Sequence, residues 1–495
     1  MTKKPIPSVI NGNESSLILE EVARTDFPSD FVFGVATSAY QVEGAANEGN
    51  RGPSIWDAFT HTEGKIVDGS NGDVAVDQYH RYKEDVELIS TLGFDAYRFS
   101  ISWSRIFPDG LGTKVNDEGI RYYNNLINAL LEKGIQPYAT LYHWDLPLHL
   151  QESIGGWLSK EIVNYFTIYA DTCFANFGDR VKHWVTFNEP LQTAVNGHCI
   201  GIFAPGRSEN ASTETYLAAH HQILAHAYAA SVYRKKYKEV QGGQLGLVID
   251  CEWAEAASES VEDINAAARR LDFHLGWYWD PIYFGDYPQT MRERLGERLP
   301  RFSQEERDLL HYSVDFIGLN HYTTRYIAHS TENPGGHDYY AAQQMERIAE
   351  WEDGEIIGEK AASSWLYVVP WGLRKVLLHI TKKYNNTPIY ITENGMDDED
   401  NPLAELHEML DDRLRVKYFK GYVAAVAQAI KEGANVKGYF AWSLLDNFEW
   451  AEGYTKRFGI VYVDYKNGLS RHPKSSAYWW MRFLKGNKGK DSKEE

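Results

Sequence analysis

Cysteine is scarce: Cys173, Cys199 and Cys251 are the only three in 495 residues, too far apart for a disulfide framework, and no CxxC or Cys/His spacing offers zinc a site. A reducing compartment suits such a chain. Basic charge is also short, because 50 Lys and Arg against 69 Asp and Glu leave a formal charge of -19. That balance repels nucleic-acid phosphates and anionic membrane surfaces, so neither is an expected partner. The one basic cluster, KGNKGKDSK near the C-terminus, is interleaved with small residues and reads as a solvated tail. No apolar stretch approaches the ~20 residues of a membrane span, and the opening MTKKPIPSVINGNESS lacks the continuous apolar region of a secretory signal. The expectation is a cytoplasmic protein, in which the sequons at Asn13, Asn210 and Asn385 go unused. HExxH and Walker motifs are missing, and the lone GGQLG at Gly242 precedes a strand where a phosphate loop would follow one, so no metal or cofactor is expected.

Aromatic residues, by contrast, are abundant, with 15 Trp, 32 Tyr and 21 Phe, more than a core requires. Aromatic faces also grip sugars and flat ligands. Eight short runs rich in Val, Ile, Phe and Tyr alternate with helical stretches: FVFGVAT from Phe31, FDAYRFSIS from Phe94, IQPYATLYH from Ile135, VKHWVTFNE from Val181, QLGLVIDC from Gln244, VDFIGLNHY from Val314, PIYITEN from Pro388 and VKGYFAWSL from Val436. This alternation predicts an α/β fold, a single (β/α)8 TIM barrel with loop insertions at the C-terminal face of the strands. Gly93, Gly134 and Gly433 each close a helical pattern just before a strand. One such pattern puts Ile120, Tyr123, Ile127, Leu130 and Leu131 on a single face. The expected organisation is an N-terminal extension over 1–24, the barrel over 25–486 and a polar tail over 487–495, with an irregular insertion from Thr323 to Ser364.

In a barrel of this kind the reactive groups sit where strands end. The predicted ends present Gln41, Arg98, His143, Asn188 with Glu189, Asn320 with Tyr322, Glu393 with Asn394, and Trp442. A packed core prefers apolar residues, so polar groups converging from separate strands point to a site. Glu189 in TFNEP and Glu393 in ITENG form a pair of carboxylates, the equipment of glycoside hydrolysis. A gap of about 5–5.5 Å between them means retention of anomeric configuration and about 6.5–9.5 Å means inversion.

These motifs, together with FVFGVATSAYQVEG, YRFSISWSRIFP, LYHWDLP, GLNHYT and WSLLDNFEW, resemble glycoside hydrolase family 1 from about Phe27 to Leu484. IFAPGR, GDYP, GYTKRFGIVYVDY and RHPKSSAYW are most similar to its plant β-glucosidases. The resemblance implies a retaining β-glucosidase acting on β-D-glucosides of small, plant phenolic aglycones, with Glu393 as nucleophile and Glu189 as acid/base. It implies that Arg98, Tyr322 and Asn320 support the nucleophile. For glucose it implies hydrogen bonds from Gln41, His143, Asn188 and Glu449, with Trp442 beneath the ring and Trp450 and Phe458 closing the pocket. A carboxylate at Glu449 disfavours phosphorylated sugars, and Glu189 stands where the family's thioglucosidases carry Gln. On the aglycone side the resemblance assigns Trp365, Gln192, Asn196 and Ala451. Secreted relatives carry a cysteine after the APGR segment, where this chain has Ser208. A transglucosidase would use the same intermediate, and a non-catalytic sugar-binding protein would have lost a carboxylate. The expected protein is a monomer or homodimer whose ligand is a small β-glucoside.

Overall fold

A computed structural model describes residues 21–332 and 338–486. Residues 1–20 of the expected extension, with Asn13, and the expected tail over 487–495 lie outside the described residues. Each of the eight predicted runs contains one barrel strand: β1 (Val32–Ala36), β2 (Ala96–Ser100), β3 (Gln136–Tyr142), β4 (His183–Asn188), β5 (Gln244–Asp250), β6 (Phe316–Asn320), β7 (Ile389–Asn394) and β8 (Val436–Trp442). They pair in parallel as a closed (β/α)8 barrel, each strand beside its neighbour in sequence and β1 beside β8. Every residue of β2, β6 and β7 is buried, as strands covered on one side by helices and on the other by the barrel interior must be.

Aromatic rings fill the interior. Tyr138, His183, Phe316, Tyr390 and Phe440 each lie upstream, on their own strand, of the polar residue at its C-terminal end. Tyr138 stacks on His183 at 4.1 Å and meets Phe440 at 4.9 Å, and Phe316 meets Tyr390 at 5.1 Å. The neighbouring strands make room with glycine. A Cβ on Gly34 of β1 would stand 2.3 Å from the Phe440 ring, and one on Gly246 of β5 would stand 2.4 Å from Phe316.

Gly93, Gly134 and Gly433 adopt φ of 87°, 72° and 101° past their helices, where a side chain would be strained. The helix Asp117–Glu132 buries Tyr122, Tyr123, Leu126, Ile127 and Leu130, whereas Leu131 is exposed. Its buried face is thus turned from the predicted one toward Tyr122, because Leu131 falls one residue, about 100°, beyond the stripe that Leu130 completes. The insertion is also more regular than expected. Thr324–His329 pairs with Met345–Ile348 and with Trp253–Ala256, a strand that leaves the barrel after β5. That partner lies some seventy residues upstream, so nothing in the local pattern reveals the pairing.

The segment after β8 is held by buried charge. Asp446 accepts hydrogen bonds from Lys474 at 2.8 Å, Arg457 at 2.7 Å and the Gly459 amide at 3.0 Å. Burial pushes its carboxyl up, but Lys474 and Arg457 more than reverse this and hold it below the ordinary value. Replacing Asp446 by Asn would strip buried Lys474 of its ion-pair partner and leave Arg457 with Asp400 alone. The expected loss is about 3–5 kcal/mol of stability, read as a lower midpoint in urea and thermal unfolding. A midpoint equal to that of the unmodified protein would show that this cluster does not hold the segment.

Candidate active site

The two glutamates emerge from strands that break register just before them. β4 shifts against β5 between Val185 and Asn188, and β7 shifts against β6 between Ile391 and Glu393. Such irregularities re-aim side chains at a barrel rim. Glu189 caps the helix Pro190–Val195 in a left-handed conformation, φ 45°, and its amide donates to the Val248 carbonyl at 2.9 Å. A non-glycine residue before proline holds that conformation only where its surroundings impose it.

Arg98, on β2, is fully buried and donates to Glu393 Oε1 at 2.7 Å and to Asn188 Oδ1 at 2.6 Å. The Tyr322 hydroxyl donates to Glu393 Oε2 at 2.7 Å. Asn320 donates to Asn188 Oδ1 at 3.0 Å and to Glu189 Oε1 at 2.5 Å, and its own carbonyl accepts from Thr392 at 2.7 Å. With its carbonyl taken twice, Asn188 turns its amide nitrogen to His143 Nε2 at 3.1 Å. Burial, with Arg98 nearby, holds the His143 ring well below its ordinary pKa. A neutral ring that accepts at Nε2 carries its proton on Nδ1, which is buried with no partner among the described residues.

Burial raises the Glu189 carboxyl well above its ordinary value, the charges of Asp250 and Glu393 raise it further, and Asn320 and Arg98 oppose them only in part. Burial raises Glu393 as well, but there Arg98, Tyr322 and Asn320 all act against it. Sequence reasoning counted the donors around Glu393 and left out burial. The order of the two groups nevertheless follows the donors: Glu189 is raised further than Glu393.

Both glutamates line a cavity of about 410 Å³. His143, Asn320, Tyr322, Trp442, Glu449, Trp450 and Phe458 line it with them, and so do Gln192, Asn196, Trp365 and Ala451. Glu449 Oε2 is buried without a partner among the described residues. Trp442 and Trp450 each stack with the His143 ring at 5.9 Å, and the edges of Trp365 and Phe458 meet Tyr322 at 5.7 and 6.0 Å. Arg98 and Asn188 stand behind the lining, in contact with it. Gln41 lies further back and is clasped to the segment bearing Glu449, its amide donating to Asn447 at 2.9 Å and to the Phe448 carbonyl at 2.8 Å.

Sequence reasoning missed the wall beyond Glu189. Asp250, the last residue of β5, accepts from Gln192 at 3.0 Å and from His274 at 2.9 Å, and Glu252, Arg270 and Arg347 continue that wall. Asp250 was legible, since the rule that located the other strand ends applies equally to QLGLVIDC. Arg270 and Arg347 reach the cavity only through the helix Val261–Leu271 and the insertion, which carry no sequence signal for it.

A model of glycosyl hydrolase family 1 matches residues 23–489. Beta-glucosidase 42 of Arabidopsis thaliana is 69% identical over 473 residues, covering 95% of this chain and 96% of that protein. Beta-glucosidase 4 of Oryza sativa subsp. japonica is 66% identical over 467 residues, 94% of this chain and 96% of its own length. Among solved structures, a mutant rice β-glucosidase in a covalent complex with Glc superposes with a TM-score of 0.92 at 52% identity, covering 94% of this chain and 99% of that one.

The charge on Asp250 helps to keep the proton on Glu189. Asp250→Asn should therefore lower the Glu189 titration midpoint, observed by carboxyl carbon NMR of protein labelled at glutamate. An unmoved or higher midpoint would exclude that coupling.

Proposed function

We propose a residue-level reaction on one premise: this chain belongs to glycosyl hydrolase family 1 and is a retaining β-glucosidase of the plant type. In the first step Glu393 attacks the anomeric carbon of a β-D-glucoside while Glu189 transfers its proton to the departing glycosidic oxygen, and the aglycone leaves as a neutral alcohol or phenol. The ester formed removes the negative charge of Glu393. Glu189, now ionised, takes a proton from water as the water oxygen attacks the anomeric carbon, and β-glucose and the Glu393 carboxylate are released. The observation that carries this reading is the asymmetry of the pair: Arg98 and Tyr322 both donate to Glu393, whereas burial and the charges of Asp250 and Glu393 raise Glu189 further.

The glucosyl unit sits over Trp442, with hydroxyls bonded to His143 Nδ1–H, to the free Glu449 oxygen, to the Asn188 amide nitrogen and to the Gln41 side-chain carbonyl, whose amide nitrogen is held by Asn447 and Phe448. Trp450 and Phe458 exclude water from its flanks. The aglycone is a small phenol held at Trp365, Gln192, Asn196 and Ala451. We place the protein in a reducing, cytoplasmic setting, a reading supported by the three buried, unpaired thiols of Cys173, Cys199 and Cys251.

Glu189→Gln should lower kcat/KM for methyl β-D-glucoside on the order of 10²–10⁴-fold, the usual worth of a general acid, and spare the first step with a dinitrophenyl glucoside. Equal losses on both substrates would remove Glu189 from the role of acid. For the unmodified enzyme, kcat/KM should fall in acid as Glu393 gains a proton and in alkali as Glu189 loses its own. Both limbs should lie above ordinary carboxyl values, since both groups are raised. Glu189→Gln should remove the alkaline limb, and its persistence would assign that limb elsewhere.

A further inference from the structure

On the side of the cavity formed after β5 and β6, beyond Glu189, three guanidinium groups gather around one carboxylate. Arg347 clasps Glu252 with Nε at 2.8 Å and NH2 at 2.6 Å, and Arg270 adds Nε at 3.1 Å. The charge of Arg325 also acts on Glu252, and this guanidinium donates to the carbonyls of Thr324 and Trp365. Two of the three positive charges have no counter-charge from Glu252, in a chain whose formal charge is -19. The neighbouring Asp250 is engaged by His274 and Gln192. Arg270 and Arg325 are buried, whereas the Arg347 side chain is 32% exposed. Arg347 lines the cavity, and its NH1 has no partner among the described residues. The aromatic face of Trp365, 43% exposed, stands at the same mouth, linked to the cluster by Arg325.

We propose that this wall is a subsite for an anionic aglycone, a phenol bearing a carboxylate, with its ring against Trp365 and its carboxylate on the free edge of Arg347. A guanidinium presents paired donors that match a carboxylate, and the cluster's unbalanced charge sits where water is partly excluded, so attraction to an anion is screened less than at an open surface. Glu252 fixes the plane of Arg347 and is itself saturated by its donors, which leaves the outward edge for the ligand. The inference rests on the glucosidase reading, because it places the aglycone beyond Glu189.

The test compares two β-D-glucosides with matched leaving groups, that of 3-(4-hydroxyphenyl)propanoate and that of its primary amide; the two methylenes insulate the phenol from the charge. At low ionic strength kcat/KM for the acid should exceed that for the amide by about tenfold, the equivalent of about 1.4 kcal/mol. The difference should lie in KM and shrink as salt is added. Arg347→Gln should bring the ratio to about one, and Arg347→Lys should restore part of it. Equal kcat/KM on the two substrates in the unmodified enzyme, or a ratio unchanged by Arg347→Gln, would overturn the proposal. The ratio in the unmodified enzyme decides the matter even if the variants fold poorly. Failure to hydrolyse 4-nitrophenyl β-D-glucoside would instead defeat the glucosidase reading on which it rests.

Discussion

The buried 2.7 Å ion pair between Arg98 and Glu393 is the constraint from which the rest of the site follows. A guanidinium this deep in a barrel cannot shed its charge, so it must be surrounded by acceptors, and the acceptors it recruits are the site. Its second nitrogen takes the Asn188 carbonyl, which fixes that amide's orientation and through it the proton on His143. The same carbonyl accepts from Asn320, whose nitrogen also reaches Glu189. Four strands, β2, β4, β6 and β7, are thereby joined by one polar network, and each member leaves a charge or donor stranded if it is removed.

Much of this was legible. The eight strands follow from apolar runs bounded by turn residues, and the strand ends announce themselves because Arg98, Asn188, Glu189, Asn320 and Glu393 are the wrong chemistry for a core. The electrostatic outcome was only half legible. Donors near Glu393 can be counted from motifs, but burial acts on both glutamates and depends on three-dimensional enclosure, so the raised value of Glu393 was out of reach. Asp250 was available to the same rule as its neighbours. Glu252, Arg270 and Arg347 were not, because they come from a loop, a helix and a strand of the insertion that meet only in the folded chain.

The two sides of the cavity are therefore built on different principles. Around the sugar, every polar group is fixed by strands of the barrel and by the charge cluster at Asp446, which pins the segment bearing Glu449 and Phe458. On the proposed leaving-group side, the wall comes from the segments that follow β4, β5 and β8, from the insertion and Trp365 just past it, and from the helix Val261–Leu271. In the proposed reading, the chemistry rests on the ends of the barrel strands, and recognition of the aglycone rests on the segments that extend beyond them.

The aromatic rings packed inside the barrel have a bearing on traffic. With Tyr138, His183, Phe316, Tyr390 and Phe440 filling the space upstream of the strand ends, the cavity has an aromatic floor on the barrel side. In the proposed reaction the leaving group stands between the glucosyl unit and the mouth at Trp365, on the path by which water would reach the intermediate. On that reading the floor gives the order of traffic an architectural cause as well as a chemical one: the aglycone must clear the mouth before water takes its place.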